Sequence, residues 1–182
     1  MTRRADNKFV VLDRDGTIVI DRNYLSDPDG LQFLPGAAEG LQAMTRQGWR
    51  LIVITNQSGV GRGLFPLERL QQMNRRLAQM FDSSGARLER IYYCPHRPED
   101  ECDCRKPKLK LMQQAASELG FDPADAVVIG DKNSDVEFGR QARATTMLIA
   151  DAAGAADARV PIAADYVVRD LREAARILET LG

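Results

Sequence analysis

Short apolar runs alternate along this chain with longer stretches in which apolar residues recur at helical spacing. The runs predict strands at residues 9–12, 51–55, 88–93, 126–129, 145–149 and 166–168. The longer stretches predict helices at residues 37–47, 66–81, 107–119, 135–142 and 171–181. This alternation indicates a doubly wound, Rossmann-like α/β fold, in which helices cover both faces of a parallel sheet.

The length and charge of the chain limit the number of domains and the kinds of partner that we expect. With 182 residues and 44% hydrophobic content, we expect a single domain over residues 1–182. Lys and Arg total 25 against 26 Asp and Glu, without a basic cluster, so we expect no nucleic-acid partner. The apolar run at residues 9–12 is too short for a signal segment or membrane span, so we expect a cytoplasmic protein with no membrane partner. The Ala-rich residues 150–158 predict a surface connection.

Acidic residues follow two of the predicted strands, where parallel sheets of this kind bind their ligands. The first strand leads into Asp13 and Asp15, and the fourth is followed by Asp131 and Asp135. Carboxylates held close together repel, and a divalent cation relieves the repulsion. An isolated Asp-Gly pair would indicate only a turn, and Asp135 fits a helix N-cap equally well. The combination nevertheless favours a magnesium site.

Two further segments suggest that an anion binds nearby. The polar, glycine-rich residues 55–63 follow the second strand and could direct backbone N–H groups at an anion. Arg105 and Lys106 precede Pro107, which we expect to start a helix. Cations at a helix N-terminus cost about 0.3–1 kcal/mol each, which an anion between them would offset. The alternative is an ordinary solvated pair.

Together these motifs resemble the haloacid dehalogenase superfamily. The likeness consists of Asp-x-Asp-Gly-Thr at residues 13–17, Thr55, Lys106 and Gly-Asp-x-x-x-Asp at residues 130–135, in the order found in the superfamily. It implies a phosphatase that forms an aspartyl phosphate in a parallel-sheet fold. Receiver domains share an acidic magnesium site, but a switch that stores phosphate does not need the second carboxylate of this motif. A phosphatase of nucleic-acid ends should have a basic surface, which the net charge of −1 disfavours.

The resemblance also implies a role for each motif residue. Asp13 would attack phosphorus, and Asp15 would protonate the leaving oxygen and then activate water. Thr55 and Lys106 would hold the transferring phosphoryl group. Mg²⁺ would be held by the carboxylates of Asp13 and Asp131 and by the backbone carbonyl of Asp15.

A second cluster contains every cysteine and the only histidine of the chain. Cys94, His96, Cys102 and Cys104 would complete a Cys₃His tetrahedron, which in closed form is typical of structural zinc. Buried, unliganded cysteines are the alternative, but residues 97–101 are too polar to form a core. We therefore expect a structural Zn²⁺ that fixes the cations following Cys104.

Substrate choice should come from loops, because the chain looks capless. Only seventeen residues separate Thr17 from Pro35, too few for a cap domain. The chain has Cys-x-His at residues 94–96, Cys-x-Cys-Arg-Lys-Pro at residues 102–107 and Thr-Asn-Gln-Ser-Gly-x-Gly-Arg-Gly at residues 55–63. In these motifs it resembles the heptose-bisphosphate 7-phosphatases of lipopolysaccharide-precursor synthesis. Histidinol-phosphate phosphatases are similar and remain an alternative. We expect a monomer, and the resemblance implies that it acts on a small phosphorylated sugar. The implied substrate contacts are Asp21, Tyr24, Asn56, Gln57, Ser58, Arg105 and Lys132.

Overall fold

The chain folds around a parallel sheet of six strands in the computed structural model, which describes residues 8–150 and 163–182. The strands are β1 (Phe9–Leu12), β2 (Arg50–Asn56), β3 (Leu88–Cys94), β4 (Val127–Gly130), β5 (Thr145–Ile149) and β6 (Tyr166–Val168). Their order across the sheet is β3-β2-β1-β4-β5-β6, and every neighbouring pair is parallel. This confirms the predicted doubly wound sheet. It differs from the 2-1-3-4-5 order of flavodoxin-like folds, to which receiver domains belong.

The described part of the chain has five α-helices, of which four connect consecutive strands and the fifth follows the last strand. They are α1 (Ala37–Arg46), α2 (Leu67–Ser84), α3 (Lys110–Leu119), α4 (Asn133–Gln141) and α5 (Leu171–Leu181). Glycine residues in the left-handed conformation end α2 and α3, as expected where the chain must turn back without a Cβ clash. The predicted boundaries agree within three residues.

Like the end of α2, the start of α3 departs from its predicted boundary by three residues. We expected this helix to begin at Pro107, immediately after Lys106, but it begins at Lys110. A turn precedes it, closed by the Lys108 N–H donating to the Arg105 carbonyl at 2.9 Å. The argument that the two cations sit on a helix N-terminus was therefore wrong. They lie instead on a connection that leads into the helix.

The sheet separates two apolar clusters, and β1 lies between them with all four residues buried. Val10 and Leu12 face a cluster that includes residues of α1, α2 and α5. Phe9 and Val11 face the opposite cluster, with residues of α3 and α4. Burial on both faces explains why β1 has no polar alternation. The residue that follows β1 is thus anchored by a strand that is buried on both faces.

The predicted surface connection at residues 150–158 lies, after its first residue, outside the described residues. Within residues 8–150 and 163–182, no helix is both long enough and apolar enough to cross a membrane.

Candidate active site

A cavity of about 270 Å³ opens where β1, β2 and β4 end. The location agrees with the rule that doubly wound sheets bind ligands beyond the carboxyl ends of their strands. Its lining includes all predicted catalytic and substrate residues, namely Asp13, Asp15, Thr55, Lys106, Asp21, Tyr24, Asn56, Gln57, Ser58, Arg105 and Lys132. Asp135, whose role we had left open, also lines it, together with four residues that we did not predict, namely Arg14, Asn23, Leu25 and Ser134.

A buried lysine lies at the centre of the site. The Nζ atom of Lys106 is 2.7 Å from Asp13 Oδ1 and 2.7 Å from Asp135 Oδ1, and it donates to the Ile54 carbonyl at 2.7 Å. Burial by itself would lower the pKa of Lys106, but the charges of the two carboxylates outweigh burial and raise it above its usual value. The lysine therefore stays charged beside Asp13.

Asp135 combines two functions that we had treated as alternatives. It is the third residue of α4, and its carboxylate accepts from the Lys132 backbone N–H at 3.2 Å, which closes a capping box. The same carboxylate pairs with Lys106. Burial raises its pKa, against the opposing charge of Lys106. Gly130 makes the arrangement possible, because a Cβ there would collide with the Asp135 side chain.

The carboxylates of Asp13, Asp131 and Asp135 converge closely enough to share a divalent cation. One oxygen from each lies within 4.8 Å of the others, a spacing compatible with magnesium at about 2.0–2.1 Å from its ligands. Burial, and then the charge of Asp13, raise the pKa of Asp131 to about 7. This destabilised negative charge is what a cation would neutralise. Lys106 pairs with both Asp13 and Asp135, and three carboxylates beside this one ammonium leave an excess of negative charge for a divalent cation to neutralise.

Asn56 links the second strand to the connection that carries Lys106. Its side-chain oxygen accepts from the Lys106 backbone N–H at 3.0 Å, and its amide donates to the Lys106 carbonyl at 3.2 Å. The two bonds join positions fifty residues apart in sequence. The structure thus places Asn56, predicted as a substrate contact, in the cavity wall with its amide bound to the lysine backbone.

The predicted zinc ligands converge in the loop after β3. The Cys94 sulfur lies 3.5 Å from that of Cys102 and 3.6 Å from His96 Nδ1. The Cys104 sulfur lies 3.6 Å from that of Cys102 and 3.2 Å from His96 Nδ1. Tetrahedral zinc with bonds of about 2.0–2.3 Å needs ligand atoms at comparable separations, so these four residues fit such an ion. Burial raises the pKa of the Cys94 thiol, and a bound metal would counter that effect.

This loop also contacts the glycine-rich segment after β2. The Gly61 N–H donates to the Pro95 carbonyl at 2.8 Å, and a Cβ at Gly61 would crowd Pro95 and Arg97. The Gln57 N–H donates to the Cys94 carbonyl at 2.7 Å. The loop therefore supports one wall of the cavity directly.

The rim of the cavity carries charges that are less constrained than those at its centre. The Lys132 ammonium lies 3.7 Å from the Asp21 carboxylate, and both side chains are about half exposed, at 52% and 41%. Arg105 contributes a guanidinium whose Nη1 is buried without a hydrogen-bond partner in the described chain. Tyr24 is 50% exposed. These groups are placed to meet a bound molecule.

The sheet order, the paired aspartates after β1 and the buried lysine define a hydrolase of the haloacid dehalogenase type. In agreement, the HAD-hydrolase-like family model matches residues 103–174.

Comparison with individual proteins identifies the family to which the chain belongs within this class of hydrolases. The chain is 38% identical to a D-glycero-beta-D-manno-heptose-1,7-bisphosphate 7-phosphatase of Haemophilus ducreyi, over 90% of this chain and 94% of the relative. It is 34% identical to the same enzyme of Haemophilus influenzae, over 96% and 98%. The crystal structure of a D,D-heptose 1,7-bisphosphate phosphatase from B. bronchiseptica, complexed with magnesium and phosphate, matches with a TM-score of 0.85 and 28% identity, over 96% of this chain and 99% of that chain. The chain belongs to the heptose-bisphosphate phosphatase family of HAD-like hydrolases, and it is a phosphatase.

Proposed function

We propose that the protein removes the 7-phosphate of D-glycero-D-manno-heptose 1,7-bisphosphate during synthesis of the heptose precursor of lipopolysaccharide. The observation that carries the proposal is the contact of a buried, charged lysine with the Asp13 carboxylate at 2.7 Å, in a cavity bordered by further cations. The names and coverage of the relatives support the choice of substrate.

The first chemical step transfers the phosphoryl group to Asp13. An Asp13 carboxylate oxygen forms a bond to phosphorus while the bond from phosphorus to the sugar oxygen breaks, and Asp15 gives its proton to that oxygen. Lys106 fixes Asp13 and, with Thr55, binds the equatorial phosphoryl oxygens. Because this chemistry needs mostly positioning and charge neutralisation, the buried lysine suits it.

The second step releases phosphate. Asp15, now a carboxylate, removes a proton from water as the water oxygen bonds to phosphorus, and the bond to Asp13 breaks. Both aspartates then return to their starting protonation states.

Two metal ions complete the proposal. Mg²⁺, held by the carboxylates of Asp13 and Asp131 and the backbone carbonyl of Asp15, would neutralise charge on the phosphoryl oxygens. Zn²⁺, held by the Cys₃His cluster, would be structural, because four protein ligands leave no position for substrate. Zinc would hold the loop that ends beside Arg105.

Selectivity for a bisphosphate follows from the rim charges. A bisphosphate keeps a second phosphate after cleavage, and Arg105 and Lys132 are cations beyond Lys106 that can bind it. Charge-assisted hydrogen bonds of about 1.5–3 kcal/mol each exceed the roughly 1.4 kcal/mol that tenfold discrimination needs. The competing substrate, histidinol phosphate, carries an amine cation that the same two residues should repel.

The test compares kcat/KM for the two substrates in wild type, Arg105→Ala and a control, Arg22→Ala, whose exposed side chain lies outside the cavity lining. We expect wild type to prefer the heptose bisphosphate by at least about tenfold. Arg105→Ala should lose activity selectively on the bisphosphate, and Arg22→Ala should behave as wild type. A wild-type preference for histidinol phosphate would overturn the proposed substrate.

We further propose that residues 1–182 act as one catalytic domain and that the enzyme is a cytoplasmic monomer. Light scattering on the purified protein should give the mass of a single chain.

A further inference from the structure

Arg14, between the two catalytic aspartates, has a nearly inaccessible side chain. The residue is 2% exposed, and its guanidinium lies side-on to the Asp15 carboxylate. Its Nε is 3.2 Å from Asp15 Oδ1 and 3.1 Å from Oδ2, and its Nη2 is 2.9 Å from Oδ2. A planar guanidinium in this position fixes the plane of a carboxylate as well as its location.

Gln57 completes the arrangement from the second strand's loop. Its Nε2 donates to Asp15 Oδ2 at 2.7 Å and to Thr55 Oγ1 at 2.9 Å, and its Oε1 accepts from Arg14 Nη2 at 2.8 Å. The opposite amide orientation would set an NH₂ group against a guanidinium and an oxygen against a carboxylate. Both N–H groups of the Gln57 side-chain amide therefore donate to protein atoms, so neither is left to donate to a substrate.

One atom of Arg14 argues that this arrangement serves activity more than stability. Its Nη1 is buried and has no hydrogen-bond partner among residues 8–150 and 163–182. A buried donor left unpaired destabilises the folded state. Proteins tolerate such defects mainly at functional sites.

We propose that Arg14 and Gln57 are positioning residues that together hold the Asp15 carboxyl group in line with the leaving-group oxygen. The inference depends on the proposed function, in that Asp15 is taken as the acid and base. The Asp15 side chain is 20% exposed and lines the cavity, so without these contacts it could rotate toward solvent. Proton transfer needs the donor and acceptor within about 2.6–3.2 Å, which makes its orientation decisive. This reassigns Gln57, predicted as a substrate contact, to the support of the acid.

The way in which the reaction rate depends on the leaving group distinguishes residues that position Asp15 from residues that only stabilise the fold. A sugar alkoxide needs a proton to leave, whereas p-nitrophenolate does not. In Arg14→Met and in Gln57→Leu, kcat on the heptose bisphosphate should fall by about 10–10²-fold, the scale of a small misplacement, with KM nearly unchanged. Single-turnover release of p-nitrophenolate, which reports only phosphoryl transfer to Asp13, should proceed at about the wild-type rate.

Three controls complete the experiment. Arg22→Met, a matched change at an exposed arginine, should leave both rates unaltered. The thermal midpoint of Arg14→Met should stay well above the assay temperature, so that the kinetic changes are read on folded protein. The double variant should be no slower than the worse single variant, because the two residues act as one unit.

Equal losses on both substrates would overturn the proposal, as would unchanged kcat on the sugar in either single variant. Either result leaves the proposed function intact if the wild type remains active on the heptose bisphosphate. A wild type inactive on that sugar but active on p-nitrophenyl phosphate would instead contradict the proposed substrate, and the leaving-group test then uses another alkyl phosphate.

Discussion

The catalytic centre and the Cys₃His loop at residues 94–104 lie side by side, but they are held together by different forces. At the centre Asp13, Lys106 and Asp135 are 7%, 5% and 2% exposed, and the lysine pairs with both carboxylates beyond the end of a strand that is buried on both faces. The loop at residues 95–104 is largely exposed and supplies few apolar contacts. The comparison teaches that the core fixes the reacting groups, whereas the loop, with four residues that could hold a metal, depends on that proposed metal for its shape.

The two regions meet at residues 104–106. Cys104 belongs to the metal cluster, Arg105 lines the cavity, and Lys106 is bound by Asn56 through its backbone. Loss of the metal should therefore disturb Arg105 more than Lys106, because Lys106 has separate anchors in the core. Changes at the centre should then affect the chemical step, and changes in the loop should affect stability and substrate affinity.

The largest effect is expected at the nucleophile. Asp13→Asn keeps the shape of the side chain but removes the nucleophile and a negative charge, so turnover should be abolished while the fold is retained. Steady-state assays with circular dichroism measure both. Full activity of this variant would disprove the role of Asp13.

Replacing Asp15 should have the next largest effect, because acid and base catalysis contribute about 10²–10⁴-fold. We expect Asp15→Asn to lose kcat on the heptose bisphosphate within that range, without a large loss of stability. An unchanged kcat would contradict the assignment of Asp15.

Loss of zinc should produce a smaller and different change. The purified protein should contain about one zinc per chain, and Cys102→Ser should lower that content, the thermal midpoint and the substrate affinity more than kcat. Elemental analysis and calorimetry provide the measurements. Unaltered metal content in the variant, or no zinc in protein made in zinc-replete medium, would show that the cluster is not a structural zinc site.

The smallest effect is expected for an exposed ion pair of the loop. Arg62 and Glu99 lie 3.7 Å apart with side chains 36% and 62% exposed, and such pairs contribute little. Glu99→Ala should leave zinc content, thermal midpoint and kinetics unchanged. A marked loss would indicate that charge pairs, and not only the metal, hold the loop.

The sequence predicted the sheet, because buried β-branched runs and helical periodicity are local signals. It also predicted which residues meet at the cavity, since the ends of parallel strands converge. The contact of Arg14 with Gln57 and the pairing of Asp135 with Lys106 were not predicted, because each joins side chains far apart in sequence. The three-residue spacing from Lys132 to Asp135 was the available sequence signal for the capping box, and Gly130 was the signal for a close contact with the Asp135 side chain. The start of α3 was misplaced because proline at a helix start resembles proline in the preceding turn.

Trapping the phosphoenzyme tests the central claim most directly. Asp15→Asn should still transfer phosphate from p-nitrophenyl phosphate, whose leaving group needs no proton, but should hydrolyse the intermediate slowly for want of a base. Acid quenching followed by peptide mass spectrometry should then find one added phosphoryl group on Asp13. The absence of any phosphorylated peptide while p-nitrophenolate is released, or a phosphoryl group on another residue, would contradict the account.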